Sequence, residues 1–135
     1  MHWATRYIGI KWIIGGDSIT EGFDCWGLFR HVQKEHYNLE LPRISLREDN
    51  YHLKIKTFLG HEERHNWYKV EEPHCGDAVL MTCANYPSHI GVYIKDINGV
   101  LHTTNPLGVL FQTKKSLSLS NWKILNYYRH AKNET

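Results

Sequence analysis

The sequence predicts an α+β fold, with N-terminal helices packed on a C-terminal antiparallel sheet of about five strands. Three observations carry that prediction. Apolar Phe23, Leu28, Phe29 and Val32 form a stripe along one helical stretch in the first third of the chain. After Pro73 the apolar period shortens to that of strands, in short runs separated by turn residues. Helical patterns do not alternate with those runs, so neighbouring strands are expected to pair antiparallel. At 135 residues the chain is read as one domain, residues 1–135, with room for a core and a cleft but little for a second module.

From Trp3 to about Trp12 polar and apolar residues alternate loosely, as in a short helix ending near Gly9, and Gly15-Gly16 marks a loop. The main helix runs from Asp24 to about Asn38. Asp24 is its expected N-cap, because a short acid accepts hydrogen bonds from the unpaired N–H groups of a first turn. Leu39-Glu40-Leu41-Pro42 ends it, since proline cannot continue helical hydrogen bonding. Leu46 to Leu59 is a charged helical segment closing at Gly60. The string His61-Glu62-Glu63-Arg64-His65 has the spacing that puts two imidazoles on one helical face in zinc peptidases. Its intervening residues are charged, Gly60 breaks the helix at its start and no third ligand is spaced behind it. It therefore reads as a solvated face, and no metal or other cofactor is expected. Strands are expected at Asp77 to Thr82, Ser88 to Ile94, Val100 to Thr103, Leu107 to Phe111 and Trp122 to Tyr128, followed by a frayed charged tail.

Composition narrows the function. The net charge is +2, with acidic and basic residues interspersed, so no polybasic stripe argues for nucleic acid. No apolar run approaches the roughly 18 residues of a spanning helix, and the N-terminus lacks the apolar core of a signal peptide, so membrane insertion is not expected. Three cysteines, Cys25, Cys75 and Cys83, are an odd count at spacings matching no zinc template, which leaves thiol chemistry open.

Cys25 stands in the first turn of the main helix, where unpaired N–H groups and the helix dipole favour an anion and so a thiolate. The competing reading is a small buried hydrophobe, as most free cysteines are. In the strand Ser88 to Ile94, His89, Gly91 and Tyr93 share one face and Ile90, Val92 and Ile94 the other. The aliphatic face is assigned to the core. Gly91 and Gly27 would allow close approach, so the helix start bearing Cys25 is expected to rest on the histidine face. His102 lies on the next strand. A turn at Lys95-Asp96 would set it opposite His89; a tight turn at Asn98-Gly99 would set it opposite Lys95, about 20 Å away along the strand. A wider loop or a bulge is needed to reconcile the two.

Over nearly the whole length, from Tyr7 to about Arg129, the chain resembles the NlpC/P60 family of papain-like cysteine peptidases. The residues that carry the resemblance are Gly9-Ile10-Lys11-Trp12 with Gly15-Gly16, Phe23-Asp24-Cys25-Trp26-Gly27-Leu28, Leu41-Pro42-Arg43, Gly76-Asp77-Ala78-Val79-Leu80, Ser88-His89-Ile90-Gly91-Val92-Tyr93-Ile94 and Val100-Leu101-His102. The resemblance implies Cys25 as nucleophile, His89 as general base and acid, and His102 as the polar third member that orients the imidazole. It implies substrate contacts at Asp24, at Trp12, where relatives carry a tyrosine lining the cleft, and at Trp26, where they carry a small residue. Family members mostly cut the stem peptides of bacterial peptidoglycan. A domain of this size without a leader or wall-binding repeats resembles the stand-alone versions encoded among bacteriophage tail genes. That implies synthesis in a bacterial cytoplasm, other tail proteins as partners and action at the cell wall. An alternative is a structural or assembly protein of the tail whose catalytic trio is vestigial.

A second resemblance is narrower. Gly16-Asp17-Ser18-Ile19-Thr20-Glu21-Gly22 reads like the first block of the GDSL esterases, with Ser18 as nucleophile after a strand Trp12-Ile13-Ile14. That family also needs a Gly-x-Asn-Asp block and a late Asp-x-x-His, and neither occurs here, so Ser18 reads as a loop hydroxyl.

Overall fold

The structure, a computed structural model, describes residues 2–43, 66–84 and 86–133, with the backbone alone at 86–88 and 133. The helical segment expected at Leu46 to Leu59 and the His61 to His65 string lie outside the described residues. After a 3-10 helix, Trp3–Tyr7, a two-stranded sheet of β1 (Asp17–Ser18) and β2 (Gly22–Phe23) leads into helix α1, Cys25–Tyr37. The remaining strands are β3 (Trp67–Val70), β4 (Ala78–Cys83), β5 (Tyr86–Ile94), β6 (Gly99–Thr104), β7 (Gly108–Thr113) and β8 (Lys123–His130), with helix α2 (Lys114–Leu119) between the last two. They form one antiparallel sheet in the order β3-β8-β4-β5-β6-β7.

The α+β reading holds, and the sheet has six strands rather than about five. The additional strand, β3, is short and followed by Glu71-Glu72; it exists because β8 offers an open edge, with Trp67 opposite His130 and Val70 opposite Tyr127. Helix α2 was not expected either. Its six residues bury Leu117 alone, and Thr113 caps it by accepting the Ser116 N–H at 3.1 Å. A single buried position gives no periodic signal.

Helix α1 follows the expected bounds. Asp24 caps it, and Asn38, left-handed at φ 54°, closes it by donating its N–H to the Gln33 carbonyl. The helix thus ends four residues before Pro42, on an asparagine whose side chain tolerates that conformation, rather than on the proline. Leu28, Phe29 and Val32 pack in one cluster with Ala78, Leu80, Ile90, Val92, Ile94, Leu101 and Val109. Each of the Leu, Ile, Val and Phe side chains among them, removed from water, contributes about 1.5–3 kcal/mol. On the other sheet face Val79, Met81, Tyr93 and Val100 form a second cluster with Leu117 of α2, against which Trp122 packs. The sheet is therefore covered on both faces, by α1 on one and α2 on the other. Arg129 of β8 grips Asp77 at the head of β4 through Nε at 3.1 and 3.2 Å and Nη2 at 2.8 Å, with the carboxylate fully buried.

The N-terminal segment is stitched to β7 through Gly9 N–H to the Val109 carbonyl and Val109 N–H to the Ile10 carbonyl. Phe23 N–H then bonds the Lys11 carbonyl, so the entry to α1 hangs from that edge of the sheet.

Candidate active site

Cys25 is the first residue of α1 and is 1% exposed. Its neighbour Asp24 holds the helix start together. Oδ1 accepts the Gly27 N–H and Oδ2 the Gly15 N–H, both at 2.7 Å, while the Asp24 carbonyl accepts from Leu28. Burial pushes the Asp24 carboxyl up to about 6, against the two backbone N–H bonds, which pull it down. Gly27 is required at its position. A Cβ there would stand 1.9 Å from the Gly16 carbonyl oxygen, so the 15–16 loop closes directly over the first turn. Close approach at Gly27 was expected, but the approaching element is this loop, not the sheet.

His89 and His102 are both wholly buried, and His89 Nε2 lies 3.0 Å from His102 Nδ1. Neither turn considered from the sequence makes this contact. A 3-10 turn, Lys95–Ile97, followed by left-handed Asn98 joins β5 to β6, and pairs Val92 with Leu101 and Ile94 with Gly99. Continued along the strands, that register sets Gly91 beside His102 and leaves His89 diagonal to it, a spacing that ring-sized side chains span. The indole of Trp122 stacks on the His89 ring, centroids 4.7 Å apart and 25° between planes, and meets His102 edge-on at 5.4 Å. Beyond His102, its Nε2 lies 2.8 Å from Gln112 Oε1. Burial pulls the His102 imidazole down to about 4, so it is neutral at physiological pH.

The body of helix α1 rests on the aliphatic face of β5. Leu28, Phe29 and Val32 pack in the cluster that contains Ile90, Val92 and Ile94, with Cys25 at its edge, and Trp122 packs against the His89 and His102 rings. The aliphatic face offers α1 more apolar area to bury, and that decides which face it takes. The thiol and the imidazole do share a level along the sheet. Eight residues along α1 from Cys25, about 12 Å at helical rise, Gln33 Nε2 donates to the Gly76 carbonyl at 2.7 Å. Gly76 in turn donates to the Tyr93 carbonyl, four residues along β5 from His89, about 13 Å at strand rise. At the other end Lys11 ties Phe23 to the segment paired with Val109, which is opposite Thr103 on β6. Cys25 and His89 therefore lie at the same end of the sheet.

Two of the residues expected to contact substrate are engaged in packing. Trp26 is 2% exposed, donates from Nε1 to the Pro42 carbonyl at 3.0 Å and stacks on Phe29. Asp24 serves the backbone as described. Trp12 is half-buried and bridges to Phe23, two residues before Cys25. Ser18 accepts the Glu21 N–H at 3.1 Å within its own turn, as a loop hydroxyl does. Gln112 and Trp122 were not singled out from the sequence. A glutamine in a strand and a tryptophan after a turn carry no motif, and only the sheet order brings them to the histidines. Among the described residues no group of three or more His, Cys, Asp or Glu side chains is arranged to hold a metal.

The family model described as "NlpC/P60 family" matches residues 9–124. The chain is 25% identical over 110 residues to a probable endopeptidase of Haemophilus influenzae, covering 80% of this chain and 59% of that protein. It is 27% identical over 115 residues to the murein DD-endopeptidase MepS/murein LD-carboxypeptidase of Escherichia coli K12, covering 85% of this chain and 52% of that one. The chain thus spans somewhat over half the length of these two relatives. The crystal structure of the NlpC/p60 domain of the peptidoglycan hydrolase SagA superposes with a TM-score of 0.60 at 16% identity, over 93% of this chain and 92% of that one.

Proposed function

The chain belongs to the NlpC/P60 family, and from that premise we propose that it is a cysteine peptidase cleaving an amide bond in the stem peptides of bacterial peptidoglycan. The observation that carries the proposal is the buried, hydrogen-bonded His89–His102 pair at the level of the cysteine that opens α1. Relatives named endopeptidases support the substrate class.

In the proposed mechanism His89 Nδ1 takes the proton of the Cys25 thiol, and the thiolate, stabilised by the helix dipole and the imidazolium, attacks the carbonyl carbon. The oxyanion is met by the Cys25 backbone N–H at the helix start, a single donor of which is worth on the order of 3 kcal/mol. The C–N bond breaks as His89 returns the proton to the leaving amine, and a thioester remains on Cys25. Water then attacks the thioester, giving a proton to His89. The S–C bond breaks, the acid leaves and the proton returns to sulfur, so one amide and one water become one acid and one amine. His102 orients His89 throughout, and Trp122 keeps water from the pair. Trp12, Asp24 and Trp26 are assigned the wall and floor around Cys25. Incubation with purified sacculi followed by mass analysis of the released muropeptides tests the reading; unaltered sacculi would reject it.

The burial of Cys25 favours one other reading, a structural or assembly protein with a vestigial site. Iodoacetamide at pH 6 separates the two, since an activated Cys25 is modified ahead of Cys75 and Cys83. The finer proposal is that the enzyme is made in a bacterial cytoplasm, is carried with other tail proteins in a bacteriophage tail and opens the wall locally during infection. Its support is the resemblance to family members encoded among bacteriophage tail genes, and its test is detection of the chain in purified virions.

A further inference from the structure

Beyond the trio, the polar chain continues. His102 Nε2 lies 2.8 Å from Gln112 Oε1, and Gln112 Nε2 lies 3.0 Å from both the Ser116 and Ser120 hydroxyls and 3.5 Å from the Ser116 carbonyl. Its inner part is enclosed, with the two histidines wholly buried and Gln112 7% exposed, while Ser116 is half-buried and Ser120 lies at the surface. The two serines belong to α2 and to its C-terminal cap, and α2 begins two residues after Gln112, with Thr113 between them capping it.

Proton count sets a direction along this chain. The Ser116 carbonyl only accepts, so the Gln112 edge that faces it is the NH2, and the edge that faces His102 is the oxygen. An amide oxygen also only accepts, so the hydrogen in the His102–Gln112 bond sits on His102 Nε2. A neutral His102 then has its lone pair on Nδ1, and the hydrogen of the His89–His102 bond must come from His89 Nε2. A neutral His89 is thereby left with its lone pair on Nδ1, the form a general base toward a thiol requires. The reverse tautomer of His102 would point an N–H at His89 Nε2 and force the proton of neutral His89 onto Nδ1.

We infer that Gln112 is a positioning residue: held by Ser116 and Ser120, it fixes His102 as the Nε2–H tautomer and, through it, His89 as the tautomer able to accept the proton of Cys25. The depressed basicity of His102 agrees, since a neutral ring has one donor and one acceptor to align. The inference rests on the peptidase reading for its catalytic meaning, while the tautomers themselves do not depend on any substrate.

The test is the long-range 1H–15N spectrum of histidine-labelled protein near pH 7. The expected wild-type pattern has Nε2 protonated on both His89 and His102. His102 protonated on Nδ1 would overturn the inference. In Gln112→Leu, which removes the acceptor at similar volume, His102 should populate both tautomers. Alkylation of Cys25, followed by mass mapping, should slow by at least about tenfold, as a mis-set tautomer slows a base-assisted nucleophile. Unchanged tautomers and an unchanged rate would also overturn it. Should Gln112→Leu not fold, the wild-type spectrum decides alone. A protein with the expected tautomers that leaves sacculi intact would reject the peptidase reading and keep the role of Gln112. Active protein with the opposite tautomers would do the reverse.

Discussion

His89 and His102 touch at 3.0 Å although their strands do not set them side by side. Gly91 is what stands beside His102, and a Cβ on it would lie 3.2 Å from His102 Cβ and 2.5 Å from Val100 Cγ1. The missing side chain is what lets the His89 ring lean across to its partner.

Gly91→Ala should therefore push β6 away and loosen the pair. The expected cost is about 1–3 kcal/mol, typical of overpacking a closed core, together with a fall in activity larger than that stability loss explains. Urea unfolding and muropeptide release measured on the same preparation check it; a variant of ordinary stability and full activity would contradict the packing argument.

Cys25→Ala should abolish turnover, by a factor of at least about a thousand, because the covalent route is lost. His89→Ala should lower it by roughly 100- to 10,000-fold by removing the proton carrier. Initial rates on sacculi measure both, and muropeptides still released by Cys25→Ala would remove the cysteine from the mechanism. Ser18→Ala should leave the rate unchanged.

The pH dependence of stability should carry a signature of His102. Its folded value, about 4, lies below its ordinary 6.5, so protons bind the unfolded chain more readily. Its contribution is complete above pH 6.5 and is lost as pH falls toward 4. Asp24 has the opposite sign: with its folded value raised to about 6, its ionisation weakens the fold as pH rises from about 4 to 6. The two slopes oppose each other in the intact protein. The informative quantity is the difference between wild type and His102→Asn, which should shift by about 2–3 kcal/mol against the wild type between pH 7 and pH 4. Parallel curves would mean that His102 does not titrate below its ordinary range.

Gly27→Ala should be severely destabilising. The added methyl meets the Gly16 carbonyl at 1.9 Å, a backbone atom that cannot rotate away. Either the loop lifts and Asp24 loses the Gly15 N–H bond, or the helix shifts and Cys25 moves with it. A loss of more than about 2 kcal/mol in chemical unfolding is expected, with reduced Cys25 alkylation in whatever fraction folds.

Much of the fold was legible because it depends on local pattern. Helix α1 was readable from its cap, its stripe and its polar exit, and β4, β5 and β6 from alternation between turn residues. β3 and α2 were not, since four and six residues are too few to show a period and both are held by neighbours distant in sequence. For the candidate site the residue types at 25, 89 and 102 were visible. The partners that orient them, Gln112 and Trp122, were not.

The amino-acid order by itself determined that a cysteine opens a capped helix and that two histidines lie on consecutive strands, because capping and strand alternation are properties of a few neighbouring residues. Tertiary structure alone decided that α1 covers the aliphatic face of β5. It also decided that the turn after Ile94 leaves the histidines diagonal but touching, and that Gln112 lies at the end of their proton chain. Those outcomes turn on which faces bury the most apolar area and how strands from different parts of the chain register, and neither quantity is held in any local stretch.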